Sequence, residues 1–430
     1  MNGGIRVLLI AEAANPEWTS VPLEGWSHSR AIQSLCDAHL VTQIRNLPAI
    51  ARAGLPECQF TAIDSEAVTK PLWHLANLLR GGANKGWTTS TAIQAIGYPY
   101  FEMLVWKKFK ERLQSGEFDL VHRITPLSPT MPSPIAKKLH RLSIPFILGP
   151  LNGGVPWPKQ FDSARRKERE WLSYVRGAYK ILPGYRSTRR YASAIICGSK
   201  ATLEQMPAWC RNKCVYVPEN AIEPSLFPEP PIKPPAPPLK IAFVGRLVPY
   251  KGADMLLEAV APLILDKTAT VDVIGDGPEL PRLKELARQL AVESGVSFAG
   301  WIPHEKLHER LSSAHIFGFP SIREFGGAVV LEAMALGLVP VVVGYGGPGE
   351  LVTRSTGFTV PMGDRQSIVR HFRVALQEIV NNPTALDAMR MAGRRRVSNL
   401  LTWQSKARQV LQVYDWVLGR IGKPSFAFDD

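Results

Sequence analysis

Two carboxylates and two cations stand in short glycine-marked segments, and their types suit the handling of sugar hydroxyls and a diphosphate. The stretch FPSIREFGGAVVLEAMALG, Phe319 to Gly337, carries Glu324 and Glu332. Glu324 precedes an apolar helix, at the end where free backbone N–H groups and the positive end of the dipole favour anions. Glu332 falls inside that helix among apolar neighbours, where a carboxylate is costly unless something hydrogen-bonds it. Gly337 is a natural stop for the helix. Upstream, LKIAFVGRLVPYKGADMLLEAV places Arg246 and Lys251 on either side of a strand-to-helix loop. Two cations and a helix N-terminus can hold a diphosphate and take up the charge that grows on it as a leaving group. The spacing of the two glutamates carries little by itself, and a structural clamp at Glu332 is an equally good reading.

The elements that must position these residues follow an alternating pattern. IRVLLIAEA reads as a buried parallel strand, and the loop after it, with Gly25 and Trp26, is a site candidate because ligands bind beyond the carboxyl ends of such strands. HLVTQIRN reads as a second strand, and residues 65–115 are mostly helical in pattern. DLVH within FDLVHRITP reads as a strand ending at His122, with Arg123 a further polar candidate beside it. PFILGPLNGGVPWP is a strand running into a loop where Asn152, Gly153 and Gly154 let backbone approach a ligand, or make a turn. Ser199 in YASAIICGSKATLEQM is an N-cap. PEPPIKPPAPP, residues 228–238, is a semi-rigid linker that no packed element can include. TVDVIGDGPELPRL offers only G-x-G, not the full dinucleotide pattern, which argues against hydride transfer.

Charge narrows the partners. Residues 1–238 hold 29 Lys/Arg against 18 Asp/Glu, and residues 239–430 hold 22 against 19, so the excess of the +14 chain sits in the first half. Such a field attracts anionic substrates, anionic lipid surfaces or nucleic acid, and no nucleic-acid-binding pattern is present. SARRKEREWLSYVRGAYKILPGYRSTRR, residues 163–190, interleaves nine Lys/Arg with aromatic and aliphatic residues, as an interfacial helix on an anionic membrane would. No apolar run is long enough to span a bilayer, and the N-terminus is no secretory signal. Five scattered cysteines without zinc spacing point to a reduced, cytoplasmic protein, and the basic segment to a peripheral place at the inner membrane face. No acidic pair suggests a metal.

The string EFGG…LEAMALG followed by VPVVV resembles the E-x7-E signature of retaining glycosyltransferases of family 4. VGRLVPYKG resembles the same family's V-G-R-L-x-x-x-K-G phrase, DLVH a recurring phrase of its first half, and VYVPENAIEPSLF its V-x-P-N-G-V-D…F phrase. The resemblance implies an α/β protein of two facing Rossmann-like domains (GT-B architecture) with parallel sheets and a C-terminal crossover helix. The first domain is expected over 1–227, the linker over 228–238 and the second domain over 239–405. Residues 406–430 return to the first domain. It further implies transfer of a sugar from a nucleotide-diphospho-sugar to a hydroxyl of a glycan or lipid-linked acceptor, with retention and without metal or cofactor. By the same analogy Arg246 and Lys251 hold the diphosphate, Glu324 the sugar hydroxyls and Glu332 the ribose. Backbone near Trp301 and Ile302 meets the base, while Phe325, Gly326, Gly327 and Ala328 line the donor. His122 faces the donor sugar, making His122, Arg246, Lys251 and Glu324 the catalytic set. Gly25, Trp26, Asn152 and Gly153 fall to the acceptor. The family's first loop is glycine-rich where only Gly25 stands here, and a second histidine is replaced by Ile124. A nucleotide-sugar epimerase of the same architecture and a non-catalytic sugar-nucleotide-binding protein are the competing readings.

Overall fold

The computed structural model describes residues 4–67, 87–153, 155–162, 180, 184–228 and 235–428. Two wholly parallel sheets form. The first has seven strands: β1 (Arg6–Ala11), β2 (Asp37–Gln43), β3 (Phe60–Ile63), β4 (Leu120–Thr125), β5 (Phe146–Leu151), β6 (Ala194–Cys197) and β7 (Cys214–Tyr216), in the order β3-β2-β1-β4-β5-β6-β7. The second has six: β8 (Leu239–Val244), β9 (Ala269–Ile274), β10 (Val296–Gly300), β11 (Ile316–Phe319), β12 (Val339–Val343) and β13 (Phe358–Val360), in the order β10-β9-β8-β11-β12-β13. Each order is that of a doubly wound Rossmann-like sheet, which reverses direction between its first and fourth strands and binds ligands outside their carboxyl ends.

The near-continuous apolar strands are explained by burial on both faces. In β1, Leu8 and Ile10 join one core cluster while Val7, Leu9 and Ala11 join the other. Alternate side chains point to opposite faces, so a six-residue strand with five buried positions needs helices on each side.

The chain divides into two compact units, the first Met1–Gly153, Arg169–Glu219 and Trp403–Phe426, the second Gly154–Glu168, Asn220–Thr402 and Ala427–Asp430. The division therefore falls at Glu219/Asn220, ahead of the proline-rich stretch, and a short segment after β5 joins the second unit. The last helix, Trp403–Val417, belongs to the first unit, where Ala407, Val410, Val413 and Tyr414 enter its core at helical spacing. Burying each Val or Tyr of that stripe contributes roughly 1.5–3 kcal/mol.

One boundary differs from the sequence reading in a way that matters. β4 does not end at His122 but runs on to Thr125, paired to β1 through Ile10↔Arg123 and Ala11↔Thr125. Arg123 is fully buried, with its two Nη groups bonded to nearby loops. Its Nη1 donates to the Met131 carbonyl (3.0 Å) and the Ser133 hydroxyl (3.4 Å), and Nη2 to the Pro126 carbonyl (3.2 Å).

Candidate functional site

In the second unit the loops after β8, β11 and β12 converge at the carboxyl edge of the sheet. Gly252 begins the helix Ala253–Leu265 in a left-handed conformation (φ 76°). A Cβ there would meet the Pro320 carbonyl oxygen at 2.5 Å, so only glycine lets the β8 and β11 loops come so close. The two loops are joined by Ile322 N–H donating to the Tyr250 carbonyl (3.0 Å) and by the Ser321 hydroxyl donating to the same oxygen (3.3 Å). The consequence is an ion pair between Lys251 and Glu324, 73 residues apart, with each side chain only 16–20% exposed. The Lys251 ammonium also sits 5.2 Å from the centre of the Phe319 ring.

Glu324 is followed by Gly326, Gly327 (φ 73°) and the helix Ala328–Ala335, which has no side-chain cap at its N-terminus. A Cβ on Gly326 would run into the amide of Asn220, which packs over it. From the β12 loop, Gly347 N–H donates to the Glu324 carbonyl (3.2 Å). The segment after β5 adds a further wall. Tyr345 donates its hydroxyl to the Pro156 carbonyl (2.8 Å), and the Arg323 guanidinium lies 4.9 Å from the Trp157 ring and 5.1 Å from the Phe325 ring.

The remaining donor candidates are more dispersed. Arg246 is exposed at the mouth of the β8 loop. Trp301 follows the edge strand β10 and is 73% exposed, with Ile302 beside it half-buried. Glu332 is half-buried within its helix. Arg323, Trp157 and Asn220 were not among the residues expected here. Arg323 adjoins Glu324 in sequence, but the contact with Trp157 spans more than 160 residues and leaves no local signal.

In the first unit the sequence-based candidates are held inside the fold. His122 has no exposed surface. Its Nε2 donates to the Gly149 carbonyl (2.6 Å), which leaves Nδ1 to accept from the Tyr414 hydroxyl (2.7 Å). Both nitrogens are thus engaged, and the ring fastens the C-terminal helix to the sheet instead of facing a sugar. The strand expected to end at His122 continues to Thr125, and the imidazole is enclosed between the Gly149 carbonyl and the Tyr414 hydroxyl. Gly25 is buried, and a Cβ on it would strike the Ala13 carbonyl, so its missing side chain serves helix-to-strand packing. Trp26 packs against the core with Arg30 over its ring (5.7 Å). Asn152 N–H donates to the Leu127 carbonyl (2.8 Å) and Gly153 N–H to the Thr202 hydroxyl (2.9 Å). Ser199 caps its helix, accepting from Thr202 N–H at 3.1 Å.

Beside His122 lies a buried ionisable cluster that no motif announces. Glu24 and His28, one turn apart, pack with Lys406 of the last helix, and the two histidine rings are 6.0 Å apart edge to face. Burial, then the neighbouring charge of Glu219, raises the Glu24 carboxyl well above its usual range, against the opposing pull of Lys406. Burial, then the Lys406 charge, holds His28 well below the usual imidazole range. Burial lowers Lys406 to about 8, against the opposing pull of Glu24 and Glu219.

His122 itself is pushed down to about 4, mainly by burial and in part by Arg123, with the Gly149 hydrogen bond opposing. Its folded pKa lies below its unfolded value of about 6.5, so the unfolded chain binds more protons between those values. The contribution is complete above about pH 6.5 and is lost as pH falls toward 4, amounting to about 3 kcal/mol. Glu24 titrates in the opposite sense, so the informative quantity is a difference. Urea unfolding of His122→Gln should show a flatter pH profile than the parent chain between pH 6.5 and 4; parallel profiles would refute this.

Among the described residues no group of three or more His, Cys, Asp or Glu is arranged to hold a metal ion. Likewise no described helix is long and apolar enough to cross a membrane. Most of residues 163–190 lies outside the described residues. Of those described, Arg189 is buried, donating to the Tyr185 (3.2 Å) and Pro129 (2.9 Å) carbonyls.

The architecture is the GT-B fold of α/β glycosyltransferases. Sucrose-phosphate synthase from Thermosynechococcus elongatus shares it with a TM-score of 0.61 at 16% identity, covering 97% of this chain and 100% of that one. Anabaena HepE, solved in complex with UDP and glucose, gives 0.57 at 15% identity over 96% and 99%. Residues 229–396, which include Arg246, Lys251, Trp301, Glu324 and Glu332, match the family described as Glycosyl transferases group 1. Among curated relatives, a phosphatidylinositol N-acetylglucosaminyltransferase component from Arabidopsis thaliana is 28% identical over 47% of this chain and 44% of its own length. A GDP-mannose-dependent monoacylated alpha-(1-6)-phosphatidylinositol monomannoside mannosyltransferase of Corynebacterium glutamicum is 32% identical over 40% and 46%. The chain spans about half the length of the curated relatives it matches.

Proposed function

We propose that the chain is a retaining glycosyltransferase of family 4 that moves a sugar from a nucleoside-diphospho-sugar to an acceptor hydroxyl. The observation that carries this reading is the meeting of Lys251 and Glu324 at the sheet's switch point, beside the open N-terminus of the helix Ala328–Ala335. A cation and a helix N-terminus suit the diphosphate, and an adjacent carboxylate suits sugar hydroxyls. Arg246, exposed on the loop after β8, completes the grip. As the bond from the anomeric carbon to the diphosphate breaks, negative charge grows on the departing oxygen, where preorganised cations act most strongly. In this reading the leaving phosphate guides the acceptor hydroxyl to the face it vacates, Glu332 meets the ribose, and backbone near Trp301 and Ile302 meets the base. His122 is left out of the chemistry because both its nitrogens are engaged.

The acceptor is a glycolipid or other lipid-linked glycan, bound by the first unit at the cytoplasmic face of a membrane. The basic excess of residues 1–238 supports an anionic surface nearby, and two of the relatives are named for phosphatidylinositol-based acceptors. No metal is assigned a part, since the two cations and the helix end supply the positive charge. The test is a panel of nucleotide sugars assayed first for a rise in melting temperature and then for acceptor-dependent release of nucleoside diphosphate. One donor should give both, with NMR of the product showing a retained anomeric configuration. Absence of both across the panel would overturn the proposal, and inversion would overturn the family.

A further inference from the structure

In the first unit, a cavity of about 480 Å³ is lined by Lys137, His140, Arg141, Arg190 and Tyr191. Two helices end at it. Ile135–Arg141 runs out just before β5, and Tyr185–Tyr191 runs out just before β6, so the cavity sits at the amino ends of those strands. The His140 and Tyr191 rings that help line it are 5.0 Å apart.

Cations at helix C-termini commonly serve only to offset the dipole and cap the last carbonyls. Here several of those carbonyls already have other donors. Leu142 and Ile144 N–H donate to the Leu139 carbonyl (2.9 and 3.1 Å), and Ser143 N–H donates to that of His140 (3.1 Å). The Lys213 ammonium donates to the Arg190 and Ala192 carbonyls (2.7 and 2.9 Å). Among the described residues, Lys137, Arg141 and Arg190 have no ion-pair partner, and no acidic side chain lines the cavity. Three permanent like charges around one concavity repel one another, a repulsion that a bound anion would relieve. Guanidinium groups match phosphate oxygens in pairs, Lys137 adds a point charge, and the volume lies in the range of small-molecule sites.

From this we infer that the cavity binds a phosphate-bearing ligand, through Arg141, Arg190 and Lys137, independently of the sugar-transfer site. The phosphate belongs to a soluble phosphorylated compound or to a lipid headgroup, and one experiment separates the two. The full chain carrying Arg246→Ala and Lys251→Ala, which removes the other phosphate grip, is titrated calorimetrically with inorganic pyrophosphate. The same chain is floated with vesicles of phosphatidylcholine alone and with added phosphatidylglycerol. Adding Arg141→Gln and Arg190→Gln should weaken pyrophosphate binding at least tenfold, or abolish flotation with the anionic vesicles, with the melting temperature unchanged. Arg354→Gln with Arg395→Gln, an equal charge loss on the second unit, should change neither. Loss of pyrophosphate binding alone assigns a soluble ligand, and loss of flotation assigns a lipid. Failure of the parent to bind either probe, or an equal effect of the control pair, overturns the inference.

Discussion

Replacing Lys251 or Arg246 with alanine is expected to lower sugar-transfer turnover by two to three orders of magnitude, a loss of about 3–4 kcal/mol in transition-state stabilisation. The reason is that their charge opposes a negative charge that is small in the ground state and large as the diphosphate leaves. Interactions that strengthen along the reaction coordinate raise kcat more than they lower KM. The two sites should nevertheless behave differently. Arg246 is exposed, so its removal deletes a charge and little else. Lys251 is paired with the half-buried Glu324, so Lys251→Ala also leaves a carboxylate without its counter-charge beside an anionic substrate. Adding Glu324→Gln to Lys251→Ala should therefore recover part of the donor affinity lost in the single variant, a non-additivity that independent residues would not show. Full wild-type turnover in both single alanine variants would remove the diphosphate assignment.

The largest effect on stability is expected at Arg123. Its guanidinium is fully buried, held by three oxygen acceptors and stacked 5.4 Å from the Tyr98 ring. The buried Glu102 lies in the same network, accepting from the Tyr98 hydroxyl (3.0 Å), the Ile135 N–H (2.9 Å) and the Ser133 hydroxyl. Burial raises the Glu102 carboxyl, while the Ser133 and Ile135 hydrogen bonds and the Arg123 charge pull it down. Arg123→Ala removes the cation from this enclosed network and leaves several acceptors without donors. Breaking one side of such a buried arrangement costs about 3–5 kcal/mol. Urea unfolding at neutral pH measures this directly. A change under about 1 kcal/mol, a size ordinary for exposed polar groups, would mean the network contributes little.

Much of the fold was legible in the chain because parallel strands buried on both faces announce themselves as continuous apolar runs. RVLLIA and VPVVV could hardly be read otherwise, and the loops after β8 and β11 carry their glycines and charges in contiguous strings. Arg246, Lys251 and Glu324 could be named as candidates for that reason: each lies within a short local phrase. What local sequence could not supply was partnership. That Lys251 and Glu324 neutralise each other follows from β8 and β11 being neighbours in the sheet, which only the order β10-β9-β8-β11-β12-β13 decides.

The first unit shows the same limit more sharply. His122 has the residue type and strand position of a catalytic group, but its environment depends on Gly149 and on Tyr414, 292 residues later. The strand read as ending at His122 runs on to Thr125, with the Arg123 guanidinium held by the loop after β4. Glu24, His28 and Lys406 are ordinary polar positions on their own helices, and become a buried cluster only when the last helix packs across the first sheet. Periodicity and short motifs report what a segment does with its immediate neighbours. The protonation state, burial and partner of a side chain are set by residues that the fold brings from elsewhere in the chain.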